Sequence, residues 1–300
     1  MSHSVSHLRA IGFALAGFTL WVLVDSCIKL AGQSSLPPYE IIGFLSLFSA
    51  VFMLIRGYIR HEVKVLWPKH PNKQLLRSFL EIGNNLFIVV ALRHLPLTMF
   101  YVAVFTAPLV ISLSASIFLR EHLTLPKILA VIAGFVGVIV AINPFGTFTQ
   151  GDWIGYAACA VCVTCFSTNV VWLRVMTQKE RTDSLAFFSS LAQATIGFGM
   201  MFWHAEPPTM QVLEILFIAA LLCTVGNVLY YTALKYTTAA NVSQYHYTQI
   251  ITGAAIGYFV WHEQPTMETM IGALIIIGSG LYIANHARKA ENLATLTPPH

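Results

Sequence analysis

The sequence predicts an all-α integral membrane protein of ten transmembrane helices, arranged as two inverted five-helix repeats. Three observations predict it. Of 300 residues, 56% are apolar and only 10% are Asp, Glu, Lys or Arg, with a mean hydropathy of +0.69. A soluble domain carries roughly 25% charged residues, so this chain lacks the polar surface to face water. The apolar residues gather into ten stretches near the ~20 residues that cross a bilayer, and the two halves repeat each other with their loop charges exchanged. An ordinary cytosolic enzyme, a nucleic-acid binder and a disordered chain are excluded. Five cysteines form no disulfide framework.

The stretches run over 9–31, 36–57, 75–94, 97–119, 125–142, 153–174, 183–203, 212–234, 240–261 and 267–286. The first is read as a retained helix rather than a signal peptide, because its apolar core is long, it contains Asp25 and Lys29, and nine more follow. Turn signals separate the spans: Ser34-Ser35-Leu36-Pro37-Pro38, His70-Pro71-Asn72, Asn143-Pro144-Phe145-Gly146, Glu206-Pro207-Pro208 and Gln264-Pro265. The longest link, 58–73, leaves no room for a soluble domain. The domains expected are a first repeat over 9–142, a second over 153–286 and a cytoplasmic tail over 287–300.

Polar groups inside apolar spans are costly, so each is a functional candidate until a partner explains it. Span one carries Trp21, Asp25 and Lys29; the last two, four residues apart, suit either an intrahelical pair or a zwitterionic substrate that competes for it. In span three, Glu81, Asn84 and Asn85 share one face. Glu81 is either a proton-coupling carboxylate or the plain partner of Arg77, which stands close enough to the interface to snorkel away. Tyr101 of span four joins the substrate-contacting set, and Pro108 predicts a mid-span kink, for a gate or for packing. Span six has Asn169 and the run Cys159, Cys162, Cys165, which on a membrane helix reads as packing rather than as a metal site. Span seven has Gln193. Span eight has Asn227, Tyr230 and Tyr231, either substrate contacts or interhelical hydrogen bonds. Span nine opens with Gln244-Tyr245-His246-Tyr247-Thr248-Gln249, in which Tyr245 and Gln249 share a face and His246 is a second candidate for proton coupling or a satisfied structural donor. Gly253 and Gly257 read as a close-packing pair, and Glu121 and Glu263, at span ends, as caps of the helices that follow.

Fifteen of the 17 basic residues fall on one side of these ten spans, leaving only Lys29 and Arg93 on the other. The positive-inside rule then places both termini in the cytoplasm, in a multi-pass protein of the inner membrane. A repeat appears at an offset of about 142–144 residues: Gly12-Phe13-Ala14 meets Gly155-Tyr156-Ala157, Ala91-Leu92-Arg93 meets Ala233-Leu234-Lys235, Phe105-Thr106 meets Tyr247-Thr248, and Glu121 meets Glu263. Asn227 is the counterpart of Asn85, which suggests that the two face each other across a pseudo-symmetry axis. Five spans per half is an odd number, so the second half enters the membrane upside down. Its charges agree: the loop between spans two and three is rich in Lys and Arg while His204–Gln211, its counterpart, has none. Inverted repeats place a binding site near the midplane between the halves.

Leu119-Arg120-Glu121-His122-Leu123-Thr124-Leu125-Pro126-Lys127, followed by Ala133-Gly134-Phe135-Val136-Gly137-Val138, resembles the fourth-to-fifth span signature of EamA-type carriers in the drug/metabolite transporter superfamily, and Phe105-Thr106-Ala107-Pro108-Leu109 resembles their fourth-span motif. The resemblance covers nearly the whole chain as two tandem copies. In the second, Trp261-His262-Glu263-Gln264-Pro265 keeps only the glutamate and Gln249-Ile250 replaces Ala107-Pro108, so the halves are not equivalent. The resemblance implies a ten-helix secondary carrier whose cavity is lined mainly by spans one, three, four, six, eight and nine. It also implies either export of amino acids and other metabolites or uptake of compounds such as riboflavin or S-adenosylmethionine.

No Gly-rich loop ending in Gly-Lys-Ser/Thr is present, so energy comes from a gradient or from exchange. The expectation is a secondary active transporter, not an enzyme, moving a small polar metabolite such as an amino acid or a derivative by alternating access, with proton-coupled export. The alternative is uptake or exchange of a cofactor-like compound. Trp21, Asn84, Asn85, Tyr101, Asn227, Tyr230, Tyr231, Tyr245 and Gln249 are the expected substrate contacts, and Glu81, His246, Asp25 and Lys29 the charged or proton-coupling groups. The expected partners are a small-molecule substrate, the lipid bilayer and protons, without nucleic acid, cofactor or metal, for a monomer or weak homo-oligomer.

Overall fold

Proline sets the first turn of two helices, where its missing N–H costs nothing: α2 (Pro38–Ile59) and α3 (Pro71–His94) both begin on it. The computed structural model describes residues 2–107, 109–111, 114, 125–142, 152–236, 242 and 244–296. Around α2 and α3 stand α1 (Ser2–Gly32), α4 (Leu97–Val104), α5 (Leu125–Ile142), α6 (Asp152–Thr177), α7 (Thr182–Met200), α8 (Met210–Tyr236), α9 (Thr248–Trp261) and α10 (Met267–Leu296). They follow the ten expected spans in order, and five, α1, α2, α3, α6 and α8, contain described segments long and apolar enough by themselves to cross a membrane. The segment expected as a polar tail continues α10 to Leu296, because Ala287, Ala290, Glu291, Leu293 and Ala294 are good helix formers.

The helices pair across the halves. The most extensive contacts are α1 with α8, α5 with α10, α3 with α6 and α2 with α7, and α4 packs on α9. Exchanging the halves turns α1·α8 into α6·α3 and maps the other three pairs onto themselves, as a pseudo-two-fold axis requires. Small residues let these backbones approach. A Cβ on Gly17 of α1 would stand 3.2 Å from the Gly226 carbonyl oxygen of α8, and one on Gly197 of α7 only 2.7 Å from Cα of Gly43 in α2.

Span four, expected to kink at Pro108, is interrupted just before it, and span nine, expected as one stretch, is interrupted too. Helical bonding in α4 ends at Val104, Phe105 and Thr106 form a turn, and the Thr106 hydroxyl donates to the Ala103 carbonyl at 2.8 Å. In span nine a 3₁₀ turn (Gln244–Tyr247) precedes α9, and the Thr248 hydroxyl donates to the Tyr245 carbonyl at 2.7 Å. Both breaks lie where the repeat aligns Phe105-Thr106 with Tyr247-Thr248. In each a threonine takes the carbonyl three residues back, a local bond that competes with the helical ladder. Broken helices at membrane depth are tolerated where they line a cavity. Pro108, Glu121, the signature Leu119–Thr124 and the break Asn143–Gly146 lie outside the described residues.

Gly253 and Gly257 pack as expected. A Cβ at Gly253 would overlap the buried Tyr101 ring of α4, and one at Gly257 would come 2.7 Å from Glu263 Oε2. Gly253→Ala is expected to cost about 1–3 kcal/mol by overpacking, read as a lower melting temperature in detergent. Gly199→Ala, which faces open space, leaves it unchanged.

Candidate functional site

Between the halves lies a cavity of about 1080 Å³, counting its open mouth, walled by residues of α1, α2, α3, α4, α6, α7, α8, α9 and the Gln244–Tyr247 turn. The polar and aromatic groups in it and next to it fall into three layers.

The first layer lies at the C-terminal end of α1. Lys29 and Asp25, a candidate intrahelical pair, do not pair with each other. Lys29 Nζ meets Glu263 Oε1 at 2.6 Å, and Asp25 Oδ2 accepts the Tyr101 hydroxyl at 2.8 Å. The reason is a stronger competitor: Glu263 is already held over the start of α4, accepting the Leu97 N–H at 2.8 Å and the Thr98 N–H and hydroxyl at 3.0 Å. Glu263 is therefore a cap, but of α4 in the other half rather than of the helix that follows it. Burial works to raise the Glu263 pKa, and the bonds from Lys29, Thr98 and Leu97 outweigh it, holding the carboxyl below the usual range. A depressed pKa means the pair's contribution is present above the ordinary glutamate value and lost only as pH falls below it. The pair is expected to survive acidification to about pH 5, which thermal melting across that range checks as a flat profile.

The middle layer is aromatic. Trp21 of α1 lies 4.6 Å from Tyr230 of α8, centroid to centroid, and its indole N–H donates to Asn227 Oδ1 at 3.1 Å. His246 sits among Phe18, Phe105 and Phe166 at 4.8, 5.6 and 5.5 Å, and its buried Nδ1 has no hydrogen-bond partner among the described residues. Gln249 donates to the Phe18 carbonyl at 3.0 Å. Asn84 donates to Asn85 Oδ1 at 2.9 Å and accepts the Cys162 thiol at 3.1 Å, while Asn85 donates to Gln193 at 2.6 Å. Asn85 and Asn227 share the cavity without bonding to each other, because Gln193 and Trp21 engage them first.

The third layer surrounds Arg77, which does not snorkel to the interface: it is fully buried. Its Nη2 lies 2.9 Å from Glu81 Oε2, its Nε donates to Gln74 at 3.0 Å, its Nη1 to Asn169 at 3.1 Å, and it also reaches Ser189. Glu81 Oε1 accepts the Tyr231 hydroxyl at 3.2 Å. With this many acceptors inside, the guanidinium gains nothing by moving toward lipid headgroups.

Eleven of the thirteen expected site residues line the cavity. Lys29 and Tyr245 do not: Lys29 is drawn outward to Glu263, and Tyr245 belongs to the turn that presents its neighbour His246. The cavity also uses α2 and α7, beyond the expected lining helices, through Ser46, Ser49, Ser190 and Gln193. A signal for them was present. Ser46 and Ser190, and likewise Ser49 and Gln193, are 144 residues apart, within the repeat offset, and each half holds its two on one helix face. Cys159 and Cys162 are buried, and among the described residues no group of His, Cys, Asp and Glu has metal-site geometry.

Residues 8–143 and 153–285 each match the model of the EamA-like transporter family. Among curated relatives, the S-adenosylmethionine uptake transporter of Rickettsia conorii is 24% identical, covering 96% of both chains. The riboflavin transporter of Brucella anthropi is 20% identical over 90% of this chain and 96% of its own, and the pseudopaline exporter of Pseudomonas aeruginosa 23% over 88% and 91%. A solved crystal structure, 17% identical, superposes with a TM-score of 0.68 over 93% of this chain and 99% of that one, which supports the fold alone. The chain is a multi-pass membrane protein that belongs to the EamA-like transporter family, whose members carry small molecules.

Proposed function

We propose that the protein is a secondary carrier for an organic cation bearing an aromatic ring, of the adenosyl-sulfonium type, and that it works as an uptake or exchange system in the inner membrane with both termini in the cytoplasm. One observation carries this reading. Asp25 lines the cavity beside the Trp21–Tyr230 wall and, among the described residues, forms no ion pair, since Lys29 is taken by Glu263 and Arg77 by Glu81. A carboxylate left without a cation favours a cationic ligand, aromatic faces attract the same charge, and a flat ring stacks on them. Asn84, Asn85, Asn227 and Gln193 supply donors and acceptors for the polar edges. The names of the Rickettsia relatives agree with this chemistry.

The test is a thermal-shift screen of the purified carrier against S-adenosylmethionine, S-adenosylhomocysteine, riboflavin and free amino acids. The sulfonium compound should stabilise most, and its neutral homologue much less. Stabilisation by riboflavin or neutral amino acids alone would reject the reading. Trp21→Phe keeps a ring but removes the bond to Asn227, and is expected to raise the KM for the sulfonium compound about five- to tenfold, the cost of one buried hydrogen bond, measured by uptake into proteoliposomes.

The second reading, proton-coupled export of an amino-acid-like metabolite, rests on the unpartnered His246 Nδ1 and on Glu81 at the cavity wall. Glu81→Gln and His246→Ala decide it: if both leave the pH dependence of transport unchanged, neither group carries the proton.

A further inference from the structure

We infer that Lys29 and Glu263 are positioning residues that close the cavity on the face opposite the termini and couple that closure to Asp25, the carboxylate that meets the substrate. The closure rests on the carrier reading alone, and the coupling rests in addition on Asp25 as the group that meets the substrate.

The pair joins the two halves at one point. Lys29 stands in the last turn of α1, Glu263 follows α9, and the carboxylate caps α4, so three helix ends meet at a single ion pair. Both side chains are only 11% exposed, which shields the pair from screening and makes it more than a surface contact. Lys29 also lies 4.9 Å over the Trp261 ring and 3.5 Å from the Leu95 carbonyl. The loop is shaped for this contact: His262 adopts a φ of 55°, in the left-handed region that few non-glycine residues occupy. That turn lets the Glu263 N–H bond back to the Gly257 carbonyl at 3.0 Å.

The coupling runs one turn inward along the same two helices. From Lys29, one turn of α1 leads to Asp25. From Thr98, one turn of α4 leads to Tyr101, whose hydroxyl holds Asp25 at 2.8 Å. Opening the pair frees the start of α4 and with it the clamp on Asp25, and a ligand that displaces Tyr101 from Asp25 loosens α4 beneath Glu263. Span four is already broken at Phe105-Thr106, so its first two turns can swing as a short unit.

The native thiols report the gate without any substrate. Cys223 lines the cavity while Cys159 is buried outside it. The carrier is reconstituted in vesicles and exposed to a membrane-impermeant maleimide on one face at a time, and each cysteine is read by peptide mass. Lys29→Ala and Glu263→Ala are each expected to raise the rate of Cys223 labelling from the face opposite the termini at least tenfold. Labelling from the other face and of Cys159 should stay at the wild-type level, and Lys29→Arg should behave as wild type. Unchanged Cys223 labelling, a rise confined to the terminal face, or a parallel rise at Cys159 would overturn the inference, the last by showing that the pair only holds the fold together. Because no ligand is added, such a failure is separate from a failure of the proposed cargo.

Discussion

Arg77→Ala is expected to be the most damaging single substitution in the chain, costing about 3–5 kcal/mol, the usual effect of stranding a buried charge. Arg77 is fully buried and its guanidinium ties α3 to Asn169 of α6 and to Ser189 of α7. Removing it leaves the Glu81 carboxylate without its cation and deprives Asn169 of its donor. The variant should melt far below wild type or fail to accumulate in the membrane. Arg77→Met combined with Glu81→Gln removes both charges and should recover part of the loss. If Arg77→Ala melts as wild type does, the Arg77 network does not hold α3, α6 and α7 together.

Asp25→Asn should have the second-largest effect, and on transport rather than on stability. Asparagine fills the same space and still accepts the Tyr101 hydroxyl, so the fold keeps its contact. What disappears is a charge that no cation of the described residues compensates. A charge-assisted contact contributes about 1.5–3 kcal/mol, which corresponds to roughly 10- to 150-fold in the affinity for a cationic substrate. Proteoliposome uptake at low substrate should fall by that factor while the melting temperature stays within about 2 °C. A collapse of stability would make Asp25 structural, and unchanged uptake would exclude it from the site.

Much of this fold is legible in the chain. Charge scarcity, ten apolar runs and the repeat at 142–144 give ten helices in two halves, because hydropathy and helix length are local properties. The membership of the cavity is legible too, since a polar side chain in an apolar span has few places to go. The wiring is not. Asp25 and Lys29 sit four apart and suit an intrahelical pair, yet Glu263, 234 residues away, takes the lysine because its carboxylate is fixed by two backbone N–H groups. Arg77 has the flexible stem to snorkel, and what stops it is a set of acceptors gathered from α6 and α7. Sequence spacing shows which groups can meet on one helix and says nothing of competitors from others. The breaks in spans four and nine fall between these cases: threonines at matching positions of the repeat mark both, but their effect appears only when each hydroxyl is seen bonded to the carbonyl three residues back.

The most direct test of the central claim, that Asp25 and the Trp21–Tyr230 wall recognise an adenosyl cation, is a paired calorimetric measurement of S-adenosylmethionine and S-adenosylhomocysteine binding to the wild-type carrier and to Asp25→Asn. The wild type is expected to prefer the sulfonium compound by at least tenfold, and Asp25→Asn to lose this preference while binding the neutral compound as before. Equal binding of the two compounds by the wild type, or a preference that survives in Asp25→Asn, would contradict it.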